Sequence, residues 1–463
     1  MIASGKSEIA ERAVSVRVPP TSYYAAIFFL LFAAAFLFYL ESEVWAFAIL
    51  FLAVFVFPLL AFFDRVRFDG RRLRRTGLIP RLASRFAGIP DRLRIKHIEQ
   101  VETHAVRLFR RSGRVIYSYR TTIRGRGRTM TFSSGRDSYM HMVKSLFPRL
   151  SEDVLDTRSI ELRDYYNDRR TVTRSARRSN IPPADVLESS LDQVRSGKGL
   201  LRLSPELAGS GDTENEERVA ALRRLANELR VTGALRQSAE AFRRAVLIRP
   251  ADGWLLYEFA RCLHSLAGSE RDSRMERRAV AMLRLAEKRA DGDAKLMTRV
   301  GESYFQIGDW RRAGDNFKRT IDTFGESFRA LRGLAELALR EGKIAHVIHN
   351  FAAANRLAAS DALKRWTRAE MDYFSRLNDD EEYMELEISR VNLVDRLARW
   401  RAGALRFTAF GMPVIVTGVL LQDATVAQFG WAFSGISIVT WAVLSVLERM
   451  LAARIPLDLV EKQ

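Results

Sequence analysis

The chain has 463 residues, a formal net charge of +19 and a hydrophobic fraction of 48%. This length predicts more than one domain, and the charge excess favours an anionic partner, whether nucleic acid, anionic lipid or an acidic protein segment. Nucleic acid is the least favoured of these because no nucleic-acid-binding motif is present. The single cysteine, Cys262, excludes an intramolecular disulfide framework and suits a reducing compartment.

Two apolar segments, residues 23–40 and 44–63, follow a short N-terminal segment of residues 1–22. Neither apolar segment contains a charged side chain. Each is long enough to cross a hydrocarbon core of about 30 Å as a helix. We therefore predict a transmembrane hairpin over residues 23–63.

A second apolar pair, residues 407–421 and 429–447, lies near the C-terminus and is interrupted by small residues and a proline, namely Gly411, Pro413, Gly418, Gly430, Ser434 and Gly435. Such residues are tolerated in a membrane helix when a neighbouring helix packs closely. We predict a second transmembrane hairpin over residues 404–448, with two buried core helices as the alternative. The small residues would pack the terminal helices on each other or on a foreign subunit.

Charged residues beside the apolar segments predict the orientation of both hairpins. Arginines flank the outer ends of each hairpin, whereas the turn between the first two segments contains Glu41 and Glu43. Basic residues near membrane helices stay in the cytoplasm. The N-terminal segment, residues 64–403 and the tail of residues 449–463 are therefore predicted to be cytoplasmic.

Residues 64–163 have the pattern of a small curved sheet capped by a helix. Predicted strands cover residues 66–76, 92–103, 106–111, 115–123 and 129–133, with reversals at 112–113 and 125–127. Residues 139–147 present Met140, Val143, Leu146 and Phe147 at helical spacing.

The position of this sheet after a membrane hairpin, the Asp69–Gly70 turn before a basic strand, and the stretch 95–101 together resemble the bacterial pleckstrin-homology-like (PH-like) domains of membrane proteins. The resemblance implies an interaction or structural module at a bacterial inner membrane, without catalytic residues. No motif for a particular lipid headgroup is matched. Attraction to an anionic leaflet nevertheless predicts lipid contact by the arginines close to the first hairpin, which are Arg71, Arg72, Arg74, Arg75, Arg81 and Arg85.

Residues 164–215 are polar and lack sustained periodicity, so we predict a flexible linker. A repeat with a period of about 34 residues follows over residues 216–360. Its first unit contains small and large residues at fixed offsets, namely Leu225, Ala226, Leu229, Gly233, Ser238, Phe242, Ala245 and Pro250. The third unit repeats these offsets from Gly301 to Phe317, and the second has an insertion at 269–273 that we place in the turn between its helices.

The repeat resembles tetratricopeptide repeat (TPR) proteins, with four units and a capping or connecting helical region over residues 361–403. The resemblance implies a superhelix of helix pairs whose concave groove binds a peptide or a partner helix, and it implies no chemistry. The first helix of each pair lines that groove in the family, so the resemblance places partner-binding residues at Arg223, Asn227, Arg230, Trp254, Tyr257, Arg261, Lys295, Thr298, Arg329 and Arg332.

These groove residues predict an acidic peptide segment with an apolar or aromatic anchor as the partner. Arg223 and Asn227 stand where some TPR proteins clamp a peptide carboxylate, but Thr298 and Glu302 stand where that clamp needs cations. A full clamp is therefore not expected. Ordinary solvated helix faces are the alternative interpretation of the whole set.

Catalytic and metal-binding patterns were not found. His346 and His349 are three residues apart on a predicted helix, but no further ligand accompanies them, and Cys262 lies among apolar helix residues. We expect no enzyme activity and no cofactor. Two functions remain: a membrane-anchored scaffold or adaptor that recruits a protein through the TPR groove, or a structural or assembly subunit of a larger inner-membrane complex for envelope biogenesis or transport.

Overall fold

The computed structural model describes residues 13–86, 92–111, 114–134, 137–184, 186–187, 212–451 and 454. The chain divides into two compact units. The first contains residues 1–19 and 62–368, and the second contains residues 20–61 and 369–463. The predicted reversal at 112–113, the end of the predicted linker and most of the C-terminal tail lie outside the described residues.

The first unit contains a four-stranded antiparallel sheet of strands β1 (Val14–Arg17), β2 (Arg65–Phe68), β3 (Arg72–Thr76) and β4 (Arg92–Arg94), in that order. Two differences from the sequence prediction stand out. Strand β1 lies in the N-terminal segment, where no strand was predicted, and its four alternating residues are too few to be recognised without their partner β2. The single strand predicted over 66–76 is divided by the Asp69–Gly70 turn into β2 and β3.

A second, three-stranded sheet contains β5 (Gln100–Arg111), β6 (Arg114–Gly125) and β7 (Arg128–Ser133). The reversal predicted at 125–127 is confirmed, since Arg126 and Gly127 adopt φ values of 50° and 67° between β6 and β7. The predicted strands 92–103 and 106–111 instead form β4 and one long strand, β5. Helix α4 (Asp137–Leu146) covers the sheet, and its buried residues are Tyr139, Met142, Val143 and Leu146, so Met140 is not among them. A further helix, α3 (Leu78–Phe86), lies between β3 and β4.

The predicted flexible linker over 164–215 is wrong in its first part. Helix α6 (Arg169–Arg178) lies in this region, and the preceding helix α5 (Thr157–Tyr165) ends at its start; Asp156 and Asp168 cap the N-termini of α5 and α6. Helix α6 buries Val172 and Ala176 although its other residues are strongly polar. Two buried positions in so basic a helix give too weak an apolar pattern to be recognised from sequence.

Four helix pairs follow, as predicted: α7 (Asp212–Thr232) with α8 (Leu235–Ile248), α9 (Gly253–Glu270) with α10 (Ser273–Lys288), α11 (Ala294–Ile307) with α12 (Trp310–Phe324), and α13 (Phe328–Arg340) with α14 (Ile344–Leu357). The small residues of the repeat allow close packing. An added Cβ at Gly301 would lie 2.8 Å from the Phe317 ring, and one at Gly333 would lie 2.5 Å from the same ring.

The insertion in the second pair lengthens its helices and not the turn between them. Helix α9 has 18 residues, compared with 14 in α11 and 13 in α13. Only Arg271 and Asp272 separate α9 from α10. The added turn of α9 reaches the second sheet, where Gly268 lies against the guanidinium of Arg107 on β5.

The sheets and the helix pairs share buried apolar clusters. Buried residues of the sheets, including Tyr119 and Phe132, belong to the same cluster as Val231, Phe328 and Leu331 of the helix pairs. The Tyr119 hydroxyl donates a hydrogen bond of 2.6 Å to the carbonyl oxygen of Val231. The sheet region is therefore not a module that moves independently of the repeats.

The second unit contains α1 (Thr21–Tyr39), most of α2 (Glu43–Phe63), most of α15 (Asp361–Asp379), α16 (Glu381–Leu420) and α17 (Ala424–Leu451). Among the described residues, four helices are long and apolar enough to cross a membrane: Thr21–Tyr39, Glu43–Phe63, Glu381–Leu420 and Ala424–Glu448. Helix α16 runs without a break through the predicted boundary at 403 and contains Pro413. Only the residues of the predicted capping region up to Arg368 belong to the first unit, where Trp366 packs on Phe351.

The small residues of α16 and α17 lie between these two helices. An added Cβ would lie 2.0 Å from Ser434 at Gly411, 2.4 Å from Ala427 at Gly418 and 2.8 Å from Ile415 at Gly430. Helix α1 packs on the same pair through Phe32, whose ring centroid is 5.4 Å from that of Trp431. Gly435 is different, because its position has no atom within 4 Å in the described structure.

Candidate partner-binding cavity

The first helices of the four pairs, α7, α9, α11 and α13, line one face of the repeat, which we call the inner face. A cavity of about 540 Å³ lies between this face and the segment 152–165, which includes α5. Eight of the ten predicted groove residues line the cavity: Arg223, Arg230, Trp254, Tyr257, Arg261, Lys295, Thr298 and Arg329. The sequence therefore placed these eight residues on one face, but it did not indicate that part of the same chain covers that face, and partner binding there stays a prediction.

Strand β5 holds the covering segment in place. The backbone N–H of Asp156 donates a hydrogen bond of 3.0 Å to the carbonyl oxygen of Val101, and Leu155 forms a parallel β-bridge with Val101. The hydroxyl of Thr103 lies 2.7 Å from that of Ser159 in the core. These bonds fix α5 to the sheet and direct its carboxylates towards the inner face.

Glu161 of α5 binds two arginines of the inner face. Its carboxylate oxygens lie 2.9 Å from Nη1 of Arg230 and 2.8 Å from Nη1 of Arg261. Burial alone would raise the pKa of Glu161, but the two guanidinium groups outweigh it and lower the pKa to about 2. Both predicted partner-binding arginines are therefore neutralised within the chain.

Arg223 and Asn227 do clamp a carboxylate, and it is that of Glu258 on α9. Arg223 donates two hydrogen bonds to it, of 2.6 and 2.8 Å, and the Asn227 amide donates a third of 2.8 Å. The hydroxyl of Tyr165 on α5 donates a fourth, of 3.3 Å. The predicted clamp pair is thus occupied, and Asn227 is fully buried behind the cavity wall.

A second carboxylate cluster joins α11 and α13 to the covering segment. Glu302 accepts hydrogen bonds of 2.7 Å from Thr157 and 2.9 Å from Arg329. Arg299 donates a bond of 3.0 Å to Glu152. Arg329 also donates to the carbonyl oxygen of Leu155. Glu302 is half-buried, and this burial would raise its pKa, but Arg329 and Arg299 hold the pKa below its usual value.

Two expectations for the groove need correction. Arg332 does not line the cavity, because its guanidinium lies over the Trp366 ring at 5.2 Å and pairs with Glu336 at 2.8 Å. The cavity is also not basic, since the cations of its wall are balanced by as many carboxylates: Arg223, Arg230, Arg261, Lys295, Arg299 and Arg329 against Glu152, Asp153, Glu161, Asp164, Glu258 and Glu326. An acidic partner gains no net attraction from this balanced set of formal charges.

Trp254 and Tyr165 are the aromatic residues of the cavity wall that remain partly accessible, whereas Tyr257 is only 4% exposed. The indole Nε1 donates a hydrogen bond of 2.7 Å to Asp293, and the ring meets that of Tyr257 edge-on at 5.9 Å. Lys295 and Leu357 lie on the cavity wall and are exposed. This part of the wall is a fixed aromatic surface with apolar and charged neighbours.

The arginines predicted to contact lipid do not share one surface. The guanidinium of Arg75 donates two hydrogen bonds to Asp64, of 3.0 and 2.5 Å, on the side of the sheet that faces the core. Arg71, Arg72, Arg81 and Arg85 are exposed, and Arg74 is half-buried. Lipid contact remains a prediction for these residues.

The residues considered for chemistry are in ordinary helix positions. Cys262 is buried with its Sγ 3.2 Å from the Ser238 hydroxyl, and burial raises its pKa to about 11. Among the described residues, no group of three His, Cys, Asp or Glu side chains could hold a metal ion. Sequence reasoning missed Glu152, Glu161 and Glu258, whose roles depend on contacts between distant parts of the chain.

Comparisons with known proteins add little to this description. No family model matches the chain, and no curated protein matches it. Among solved structures, the chain is similar to one in the crystal structure of the APC/C hetero-tetramer Cut9–Hcn1, at 14% sequence identity and a TM-score of 0.29. The match covers 68% of this chain and 62% of the other, and at this TM-score it does not define a shared fold.

The class of protein therefore rests on the structure itself. The first unit is mostly helical, and its four consecutive helix pairs with small residues at their contacts are consistent with a TPR-like repeat. Such repeats typically present extended surfaces to other proteins.

Proposed function

We propose that the chain is a membrane-anchored adaptor that binds a protein partner at the cavity beside Trp254. The four apolar helices would anchor it in a bacterial inner membrane, with the first unit in the cytoplasm. The sheet region, which resembles PH-like domains, would lie at the membrane surface. The observation that carries the proposal is a cavity of about 540 Å³ on the inner face of a helical repeat.

The geometry around Trp254 supports an apolar anchor on the partner. The indole is held by Asp293 and by the Tyr257 ring, so little side-chain freedom remains to be lost on binding. The Arg223 guanidinium lies 5.8 Å from the indole centroid and is itself held by Glu258. Aromatic residues fixed in this way are typical of binding hot spots.

The balanced charge of the cavity changes the expected partner. Carboxylates of the same chain already satisfy the arginines of the inner face. An acidic segment would have to compete with them, whereas an apolar side chain would only have to reach Trp254 and Leu357. We therefore propose that an apolar or aromatic residue dominates recognition and that acidic residues contribute little.

A pair of tryptophan variants tests the proposal in the full chain. Photo-crosslinking from a residue placed at Leu357 identifies the bound protein in wild-type membranes. Trp254→Ala should weaken this contact by about 2 kcal/mol, a typical hot-spot loss. Trp310→Ala is the matched control, because Trp310 is a partly exposed tryptophan of the repeat that does not line the cavity.

Equal crosslinking by the Trp254→Ala and Trp310→Ala variants would place recognition elsewhere. If both variants instead kept the same membrane proteins in fixed stoichiometry, the second function, a structural subunit of a larger inner-membrane complex, would be favoured.

A further inference from the structure

The register of the four-stranded sheet places arginines opposite one another on one face. Arg67 of β2 is paired with Arg74 of β3, and Arg74 is paired in turn with Arg92 of β4. On the same face, Arg72 is paired with Arg94.

The first strand extends this face. Arg17 of β1 is opposite Arg65 of β2, and both guanidinium groups lie over the Phe62 ring, at 4.5 and 5.6 Å. We call the surface the arginine face, and its members are Arg17, Arg65, Arg67, Arg72, Arg74, Arg92 and Arg94.

The other side of this sheet is mostly apolar. Val16, Val66, Phe68, Leu73 and Leu93 alternate with the arginines along the strands and are buried in the core of the first unit. The remaining strand residues on the arginine face are Ser15 and Thr76. The strands thus contribute positive charge and no carboxylate to that face.

Two arginines directly opposite each other, such as Arg72 and Arg94, would lower the stability of the sheet in the absence of an anion. Like charges directly opposite each other on neighbouring strands repel, and each such pair is destabilising. Strands lie about 4.8 Å apart, so the arginines form a dense array of charge. A bound layer of anions would remove the repulsion, and nothing in the packing of the core requires arginine at these positions.

Helix α3 adds an apolar element at the edge of the face. It begins two residues after the end of β3. Its Leu78 and Ile79 are 58% and 41% exposed, and its Arg81 and Arg85 are also exposed. Exposed apolar and basic side chains on one short amphipathic helix are typical of a helix that lies in a membrane interface.

Few residues separate the strands of the arginine face from the apolar helices along the chain. Arg17 precedes the start of α1 at Thr21 by four residues, and Arg65 follows the end of α2 at Phe63 by two. Four extended residues span at most about 14 Å. An anionic leaflet attracts basic groups within a Debye length of about 8 Å at physiological salt. The linking residues are short enough for the arginines at these strand ends to lie close to that distance from a leaflet crossed by α1 and α2.

We propose that the arginine face binds the anionic phospholipid headgroups of the membrane that anchors the chain. This inference deepens the proposed function and rests on its membrane attachment. It assigns the contact to one sheet face and α3, and it leaves out Arg75, whose side chain is on the opposite side of the sheet. Single-stranded nucleic acid is a poorer match, because its binding surfaces stack bases on aromatic side chains and no strand residue of this face is aromatic.

Fluorescence quenching in nanodiscs tests this proposal with the full chain. A fluorophore on Ser15→Cys reports on the face, and the buried Cys262 thiol stays unlabelled. The quencher is a lipid with a nitroxide on its headgroup. We expect stronger quenching in nanodiscs that contain phosphatidylglycerol than in pure phosphatidylcholine, and loss of the difference at high salt.

Two variants that remove the same charge test whether the lipid effect depends on the arginine face. Arg67→Gln/Arg72→Gln/Arg94→Gln should abolish the effect of phosphatidylglycerol without lowering the unfolding temperature in neutral lipid, because it removes like-charge repulsion. Arg170→Gln/Arg177→Gln/Arg178→Gln on α6 removes the same charge from exposed positions elsewhere and should leave the effect intact.

The outcomes separate this inference from the proposed function. Equal quenching in both lipids, or an unchanged lipid effect in the face variant, overturns the inference while crosslinking at Leu357 can still succeed. Salt-sensitive binding of an oligonucleotide that the face variant loses, without any lipid effect, would assign the face to nucleic acid. Failure of the chain to enter nanodiscs would instead contradict membrane anchoring.

Discussion

Val115 and Gly233 join the second sheet to the first helix pair. The Val115 backbone N–H donates a hydrogen bond of 3.0 Å to the Gly233 carbonyl oxygen. A Cβ at Gly233 would lie 1.9 Å from the carbonyl oxygen of Val115, and the φ of Gly233 is +87°. Glycine is therefore required twice here, by the left-handed backbone and by the strand that packs on it.

We expect Gly233→Ala to destabilise the first unit by about 3 kcal/mol or more, from left-handed strain and the displacement of β6. The matched control is Gly342→Ala in the fourth pair, where φ is +71° and no atom lies within 4 Å of the added Cβ. The control should cost only about 1–2 kcal/mol. Thermal unfolding of the two variants measures the difference, and equal losses would mean that β6 moves aside freely.

Glu161→Gln should destabilise the folded chain by about 3 kcal/mol at pH 7, because it removes the carboxylate that pairs with the buried Arg230 and the half-buried Arg261. Asp164→Asn on the same helix is the control. Asp164 is half-exposed and pairs with its neighbour Arg163, so the control should cost less than about 1 kcal/mol. A similar loss in both variants would show that Glu161 does not hold α5 on the inner face.

The same ion pairs predict a dependence of stability on acid. The folded-state pKa of Glu161 is about 2, below its ordinary value of 4.5. A lowered folded-state pKa gives stability that is complete above pH 4.5 and is lost as the pH falls towards 2. The free energy of unfolding of the wild type should therefore fall more steeply in this range than that of Glu161→Gln. Parallel pH profiles would contradict this assignment.

The helix pairs were predictable because their signal is local. Gly301, Phe317 and their counterparts recur at fixed offsets, and the same short-range packing requires small and large residues in every pair. Strand β1 was not predictable, since its four residues pair with a strand about 50 positions later, after α1 and α2.

For the cavity, the residues on the repeat were predictable from the sequence, but their partners from outside the repeat were not. The repeat placed Arg223, Arg230 and Arg261 on one face, and the structure agrees. Their carboxylate partners, however, include Glu161 from a region outside the repeat. No local pattern shows that an arginine on a helix face is already paired, so residues suited to an acidic ligand instead form internal ion pairs.

Two glycines of the C-terminal hairpin should respond differently to the smallest possible side chain. Gly418→Ala should lower the unfolding temperature in detergent, since its Cβ would lie 2.4 Å from the backbone nitrogen of Ala427. Gly435→Ala, with open space at that position, should leave it unchanged or raise it through the helix propensity of alanine. The opposite order would indicate that Gly435 forms the tighter contact in the membrane.

Topology gives the most direct test of anchoring. A cysteine at Glu43, between α1 and α2, should react with a membrane-impermeant reagent in cells with a permeable outer membrane. One at Thr213, on the exposed start of α7, should react only after the inner membrane is broken. The buried Cys262 provides an unreactive background. Labelling at Thr213 in intact cells would reverse the proposed orientation.

The segment 152–165 has a consequence for how this repeat can evolve. Helical repeats often gain or lose units, because each unit contacts only its neighbours. Here the covering segment bonds to all four pairs, through Arg230, Arg261, Glu302 and Arg329 in turn. Deletion or duplication of a pair would shift every later pair away from the residue of the segment that it bonds to. Contacts to the segment therefore constrain the number of pairs to four.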